Sequence, residues 1–175
     1  MHSVGGEHMP LKSKVTTQEI DKGFAEILEE AGFAKGKSFL KVGVLSKDGQ
    51  KIEPGGNFNL AQIAAVHEFG SKKAGIPERS WMRSTMDENQ QKYFALSFKL
   101  LAQVGVKGMK IRKALNLMGL QIASDFKRKI TILRDPPNSP ATIRRKGSTN
   151  PLIDTGRMRN SQNHQVTLKK KKVSA

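Results

Sequence analysis

A regular stripe of apolar residues between positions 107 and 129 is the strongest constraint on the fold. The stripe recurs every three or four residues, the spacing that places side chains on one face of an α-helix. Its members are Ile111, Leu115, Met118, Ile122 and Phe126. A second helical pattern, rich in aromatic and leucine residues, covers residues 81–103. The sequence therefore predicts two long helices in succession, with the stripe of the second facing the core.

Shorter patterns before residue 80 predict two further helices and a strand. Thr16 and Glu19 have the spacing of a capping box, and an apolar face follows, which predicts a helix over residues 16–32. Residues 59–70 predict a shorter helix, because an asparagine cap precedes its apolar positions and a glycine ends it. Residues 38–46 alternate apolar side chains with lysine and glycine, the pattern of a half-buried strand.

The region beyond residue 134 differs in composition from the helical part. Residues 134–151 include four prolines, few apolar residues and a basic cluster, so a long basic loop is expected. A last short strand is expected through Val166 and Leu168, followed by a basic tail over residues 169–175. Helices dominate and the sheet is small, so the predicted fold class is α+β.

The chain has 175 residues, which is enough for one domain with a substantial core. We expect this single domain over residues 15–168, behind a flexible leader over residues 1–14 that looks partly like a tag. No stretch approaches the roughly 18 consecutive apolar residues of a membrane span, so no membrane partner is expected. Cysteine is absent, which excludes disulfides, thiolate catalysis and cysteine-based zinc sites. No cofactor is expected.

The charge of the chain is strongly positive and unevenly distributed. The formal net charge is +16, and the last 51 residues contain thirteen basic and three acidic side chains. A field of one sign on this scale favours a polyanion or an acidic protein surface as a partner. The alternative is a solvated basic tail that only keeps the protein soluble.

The string Asp154-Thr155-Gly156 is similar to the active-site loop of an aspartic protease. Such an enzyme needs two carboxylates that share a proton, so a single motif would have to be doubled in a homodimer. Arg157 follows directly, and a cation there favours the ionised carboxylate and opposes proton sharing. A structural turn is the better prediction, because Asp and Thr side chains bond the local backbone and glycine accepts a positive φ.

Two other motifs do not amount to a catalytic or metal site. Residues 32–38, GFAKGKS, resemble a phosphate-binding loop, but the glycine spacing is one residue short and a helix precedes it instead of a strand. His67 lacks a second histidine four residues later, so it is predicted to be a surface or interface residue instead of a zinc ligand. No serine or lysine has a recognisable base beside it in sequence. The sequence therefore predicts no enzyme.

Two separated segments form a more specific pattern. In residues 61–90 an apolar helix runs into Glu-Phe-Gly, and a Pro-x-Arg element follows, with an aromatic residue and an arginine opening a long helix. The matching residues are Glu68, Phe69, Gly70, Pro77, Arg79, Trp81 and Arg83. Residues 136–161 contain a proline-rich start, Lys-Gly and Pro-Leu-x-Asp-Thr-Gly. The matching residues are Lys146, Gly147, Pro151, Leu152, Asp154, Thr155, Gly156, Met158, Arg159 and Ser161.

Together the two segments resemble the tail-completion proteins of tailed bacteriophages, also called neck or head–tail joining proteins. The resemblance implies helices packed on a small antiparallel sheet and a mechanical function, with the motif residues at interfaces. Copies of the chain would form a ring, a hexamer or dodecamer, in the neck of a virion assembled in the host cytoplasm. The ring would join the tail to the DNA-filled head, with DNA passing through its lumen. Its neighbours would be a portal-side adaptor or head-closure protein and a tail terminator or tail tube protein.

Several expectations follow from this resemblance and its departures. Residues 136–151 are expected to form an arm that orders on docking, because their composition cannot bury a core. Arg144, Arg145 and Lys146 are candidate contacts to DNA or to an acidic partner, with simple solvation of a loop as the alternative. Trp81 is expected either to anchor an interface or, preferably, to join the core. The family pattern has an apolar strand after Ser161, whereas this chain continues with polar residues.

The alternative function is that of a small basic nucleic-acid-binding protein. Its support is the positive charge of the C-terminal region. The chain has only one Trp and one Tyr, which argues against stacking of single-stranded bases, and it shows no recognised reading motif.

Overall fold

The computed structural model describes residues 38–45, 49–50, 52 and 57–168. Three predicted segments lie outside these residues: the leader over residues 1–14, the helix over residues 16–32 and the tail over residues 169–175. The loop-like motif over residues 32–38 also lies outside them, except for its last residue.

A two-stranded antiparallel sheet joins the two ends of the described region. It consists of β1 (Phe39–Val44) and β2 (Gln162–Thr167), with Val42 opposite His164. The strand predicted for residues 38–46 is therefore confirmed. The last strand, predicted through Val166 and Leu168, begins earlier than expected and ends at Thr167, before Leu168. Its polar composition fits its position, because the outward side chains of Asn163 and Gln165 are exposed.

Six helices occur in the described part of the chain. They are α1 (Leu60–Phe69), α2 (Met82–Glu88), α3 (Gln90–Lys107), α4 (Ile111–Ile132), α5 (Pro140–Lys146) and α6 (Arg157–Asn160). Helices with a small antiparallel sheet make this an α+β fold, as the sequence predicts. The predicted cap of α1 is confirmed, because Asn59 and Gln62 each accept a hydrogen bond from the other's amide, both at 2.9 Å.

The helix predicted over residues 81–103 is in fact two helices, α2 and α3, separated at Asn89. The backbone of Asn89 leaves helical geometry at φ −111 and ψ 14. Its side-chain amide donates to the Thr85 carbonyl at 2.9 Å, so the residue ends α2 before α3 begins. Only Tyr93 and Leu100 of α3 are buried, while Phe94 and Phe98 stay about two-thirds exposed.

The core lies between α4, the sheet and the segment around Trp81. The Trp81 side chain is fully buried and meets the Phe126 ring edge-on, with the ring centroids 5.6 Å apart. Ile122 and Phe126 of the predicted stripe are buried and Met118 packs against them, which confirms the inward face of α4. Trp81 therefore belongs to the core, the alternative that the sequence favoured.

The long loop predicted over residues 134–151 is wrong in its middle, where α5 forms. Ser139 caps this helix by accepting a hydrogen bond from the Thr142 amide, and Pro140 occupies its first turn. Gly147 ends it in the left-handed conformation. Local capping residues thus outweigh the low apolar content that suggested a loop.

The close packing of α4 against β2 depends on Gly119. A Cβ atom at this position would lie 2.5 Å from Cδ2 and 2.6 Å from Cγ of His164. In an exposed helix, Gly→Ala stabilises by about 1 kcal/mol. Here we expect Gly119→Ala to destabilise the protein by about 1–3 kcal/mol in urea unfolding, because the ring must move.

The double variant Gly119→Ala with His164→Ala is the matched control. It removes the ring from the crowded position and should recover part of the loss. Stabilisation by the single Gly119→Ala change would contradict the predicted contact, since it would mean that helix and strand separate without cost.

Candidate functional site

The carboxylate of Glu68 organises the first motif. It lies at the end of α1, is 1 % exposed, and accepts hydrogen bonds from the amides of Trp81, Met82 and Arg83 at 2.8, 2.8 and 3.0 Å. These amides form the start of α2, so the side chain of one helix caps the next. Burial alone would raise the pKa of Glu68, but these hydrogen bonds and one from the Ser80 hydroxyl outweigh it and lower the pKa.

Arg83 completes this arrangement on the surface. Its Nε donates to the Glu68 carboxylate at 3.1 Å and its Nη2 to Glu78 at 2.7 Å. The guanidinium also lies over the Phe69 ring, 4.7 Å from its centroid. Phe69 itself is 63 % exposed, which makes it the most accessible large apolar residue of the first motif.

Arg79 connects the first motif to the second. Its side chain is 5 % exposed and donates from Nε to the Pro136 carbonyl at 2.7 Å and from Nη2 to the Pro137 carbonyl at 3.0 Å. Burial lowers the pKa of Arg79. The planar fork of one guanidinium thus attaches residues 136–138 to the loop after α1.

Asn150 holds the other end of the same segment. Its side-chain amide donates to the Ile130 and Thr131 carbonyls at 3.3 and 3.0 Å, and its carbonyl oxygen accepts from the Leu152 and Ile153 amides at 2.9 and 3.0 Å. The expected arm over residues 136–151 is therefore fastened to the domain at both ends. Asparagine is common in such turns, but its partner at the end of α4 gave no signal in the sequence.

The Asp154-Thr155-Gly156 string forms a turn that leads into α6. Gly156 has φ 77 and the Thr155 hydroxyl accepts from the Arg157 amide at 3.4 Å. Leu152 and Met158, on either side, are buried in the core. The turn predicted for this string is confirmed.

The two motifs meet at one open groove, which we call the motif groove. It has a volume of about 930 Å³ and lies between α1 with the following loop and residues 137–158. Ile63, His67, Pro77 and Arg79 line one side, and Lys146, Leu152, Asp154 and Arg157 line the other. Residues more than sixty positions apart in the chain thus form one continuous surface.

The motif groove is electropositive. Its charged lining consists of Arg79, Arg145, Lys146 and Arg157 against the single acid Asp154. The pKa of Lys146 is lowered by burial and by the charges of Arg79 and Arg145, although Asp154 opposes the shift. An anionic group placed here would relieve this mutual repulsion.

The three basic residues singled out in α5 have different environments. Lys146 is half-buried and donates to the Asn150 and Pro151 carbonyls at 3.1 and 3.4 Å. Arg145 is exposed and lines the motif groove, whereas Arg144 is exposed on α5 and does not line it. Lys146 therefore has a structural role in the turn after α5, and contact of these three residues with DNA or an acidic partner stays a prediction.

His67, in the wall of the motif groove, should make the free energy of unfolding depend on pH. Burial, with the charges of Arg79 and Lys146, lowers the pKa of His67 to about 4, from an ordinary 6.5. The unfolded chain therefore binds a proton first as the pH falls. We expect the free energy of unfolding to fall by about 2–3 kcal/mol between pH 6.5 and 4 for this reason.

Urea unfolding of His67→Gln across this pH range tests the expectation. In a plot of the free energy of unfolding against pH, the variant should lose the part of the slope that comes from His67, because glutamine does not titrate. An equal slope in both proteins would show that His67 is as easily protonated in the folded state as in the unfolded one.

Within the described residues, no group of three or more His, Asp or Glu side chains is placed to hold a metal ion. No helix among them is both long and apolar enough to cross a membrane. Comparisons of the chain with protein-family models, with curated proteins and with solved structures found no match.

Proposed function

We propose that this protein is a structural component of a bacteriophage neck, which completes the tail and joins it to the DNA-filled head. Copies of the chain would form a ring around the DNA channel, between a head-side and a tail-side ring protein. The proposal needs adhesive surfaces and no catalytic group. The enzyme alternative has no support from the geometry around Asp154, where the carboxylate belongs to a turn beside Arg157.

One observation carries this proposal: the two family-like segments come together at the motif groove. The segments are far apart in the sequence, and Arg79 links them through the Pro136 and Pro137 carbonyls. Many of their residues have a clear role in the fold, including Glu68, Trp81 and Leu152. The two segments therefore form one structural unit, and the motif groove is its surface.

We infer that the motif groove receives an acidic segment of a neighbouring ring protein. Four cations line it against one acid, and apolar side chains such as Ile63 and Leu152 form part of its walls. Such a mixture suits a chain with acidic and apolar residues, because the charges steer the encounter and the apolar contacts add affinity.

The test is complementation of a phage lysate in which the gene for this chain is deleted. Without the protein, electron microscopy should show DNA-filled heads beside separate, finished tails. The native chain should restore joined particles. Arg145→Glu should reduce the infectious titre by about tenfold or more, since it places a like charge against the acidic segment.

Arg144→Glu is the matched control, because Arg144 lies on the same helix and does not line the motif groove. It should leave the titre near that of the native chain. Normal infectious particles without the protein would overturn the neck function itself. Equal losses of titre from Arg144→Glu and Arg145→Glu, together with DNA binding that weakens steeply with salt, would favour the nucleic-acid-binding alternative.

A further inference from the structure

The hairpin of α3 and α4 is strongly basic. Residues 90–132, which span both helices, contain nine basic side chains and a single acidic one, Asp125. Asp125 is 9 % exposed and is neutralised by Lys92, whose Nζ lies 2.7 Å from both carboxylate oxygens. The hairpin therefore has eight further cations and no acid of its own to pair with them.

The partners of Asp125 identify one face of this hairpin. Lys92 of α3 and Gln121 of α4 both donate to the carboxylate, Gln121 at 3.2 Å, so the two side chains lie on the same face. Residues about two helical turns away from either of them share that face. The exposed cations at such positions are Lys99, Lys113 and Arg128.

We call the surface that contains these three cations the hairpin face. It looks away from the core, because the opposite side of α4 holds the buried Ile122 and Phe126. None of the three cations forms an ion pair within the described residues. The two acids of the adjoining α2 lie elsewhere, since Glu88 is bound by Lys129 and Asp87 lines a groove with Ile122 and Phe126. The hairpin face is therefore positive over its length.

We propose that the hairpin face binds the phosphate backbone of double-stranded DNA without reading its sequence. α4 rises about 22 Å between Lys113 and Arg128, and a duplex carries about thirteen phosphate charges over that length. The cations can therefore meet several phosphates at once and release their counterions. Ser124, exposed between Lys113 and Arg128, has a hydroxyl that can donate to a phosphate oxygen.

The distribution of charge favours DNA over an acidic protein as the partner. The centre of a protein interface is depleted in charged residues and filled with apolar side chains. On α4 between Lys113 and Arg128, two large apolar side chains are exposed, Leu117 and Leu120. Two leucines are too few for the centre of a stable protein interface, whereas sequence-independent DNA contact needs cations and no apolar centre.

This contact would serve DNA in the lumen of a ring and DNA bound by a single copy alike. It therefore goes beyond the neck function and does not depend on it.

The test is a titration of the full chain with duplexes of about 25 base pairs in two unrelated sequences, between about 50 and 300 mM salt. The face variant carries Lys99→Glu, Lys113→Glu and Arg128→Glu. Its matched control carries Lys41→Glu, Lys72→Glu and Lys73→Glu, which reverse three exposed lysines on β1 and on the loop after α1 and give the same net charge.

We expect the native chain to bind both duplexes equally, with an affinity that falls steeply with salt. The face variant should bind about a hundredfold or more weakly near 100 mM salt, and the slope of log affinity against log salt should become smaller in magnitude by about three. The control should lose less than about tenfold in affinity and keep the native slope. Each single reversal on the hairpin face should remove about one unit of slope, which keeps the test available if the triple variant does not fold.

Two results in this titration would overturn the proposal. One is no binding of either duplex by the native chain. The other is an equal loss in the face variant and the control, because binding would then follow net charge alone. A face variant that binds DNA like the native chain but fails to restore joined particles would also overturn it and would assign the hairpin face to an acidic protein. Failure of the neck function is read separately, from normal infectious particles without the protein.

Discussion

Glu68→Ala is expected to lower the free energy of unfolding by about 3–5 kcal/mol, because it leaves three amide donors at the start of α2 without their buried acceptor. The native carboxylate is 1 % exposed and accepts from Trp81, Met82 and Arg83, so water does not simply replace it. Urea unfolding, followed by circular dichroism near pH 7, measures the loss.

Glu78→Ala is the matched control, because Glu78 binds the same arginine at 2.7 Å while its side chain is 54 % exposed. An exposed pair of this kind contributes about 0–1 kcal/mol. A loss of similar size in both variants would contradict the special role of Glu68. It would assign the effect to Arg83 instead of the capped amides.

The pH dependence of this contribution has a definite sign. The folded state lowers the pKa of Glu68 from its usual 4.5, so the carboxylate stabilises the protein fully above that pH. The stabilisation is lost as the pH falls through the lowered value. Glu68→Ala should therefore cost less at pH 3 than at pH 7. His67 acts earlier during acidification, between pH 6.5 and about 4, so the two effects are separable.

Features that depend on residues three or four apart were predictable from the sequence. The Asn59 cap of α1 and the inward stripe of α4 are of this kind. So is the turn at Gly156, since glycine alone adopts its positive φ without strain. In each case the physical cause lies within a few residues, and the same pattern predicts the same structure in many folds.

Two misses, the break at Asn89 and the helix α5, also have local causes. The side-chain contacts that the sequence did not predict have a different cause, because they join distant residues. Glu68 caps a helix that begins fourteen residues later, and the turn closed by the Ser71–Ile76 bridge brings the two together. Asn150 joins the end of α4 to the turn before Leu152. The motif groove is a product of such contacts, so the sequence identified many of its residues without predicting that they share a surface.

Arg79→Met is expected to detach the segment around α5 from the domain while the core remains folded. Arg79 donates to the Pro136 and Pro137 carbonyls, and methionine fills similar space without a donor. A loss of about 2–3 kcal/mol in local stability raises the open population roughly 30- to 150-fold. Trypsin should therefore cut at Arg144, Arg145 and Lys146 faster by a similar factor, because cleavage tracks the open state.

Two further variants test whether the paired hydrogen bonds of the Arg79 guanidinium protect α5 from cleavage. Arg79→Lys should also speed cleavage, because an ammonium group cannot donate along two fixed directions as a guanidinium does. Arg112→Met removes an exposed arginine that donates to the Val166 carbonyl at 3.2 Å, and cleavage in α5 should not change. If Arg79→Met is cut no faster than the native chain, Asn150 and the buried Pro151 hold the segment without help. The motif groove would then keep its shape without the guanidinium that links its two sides.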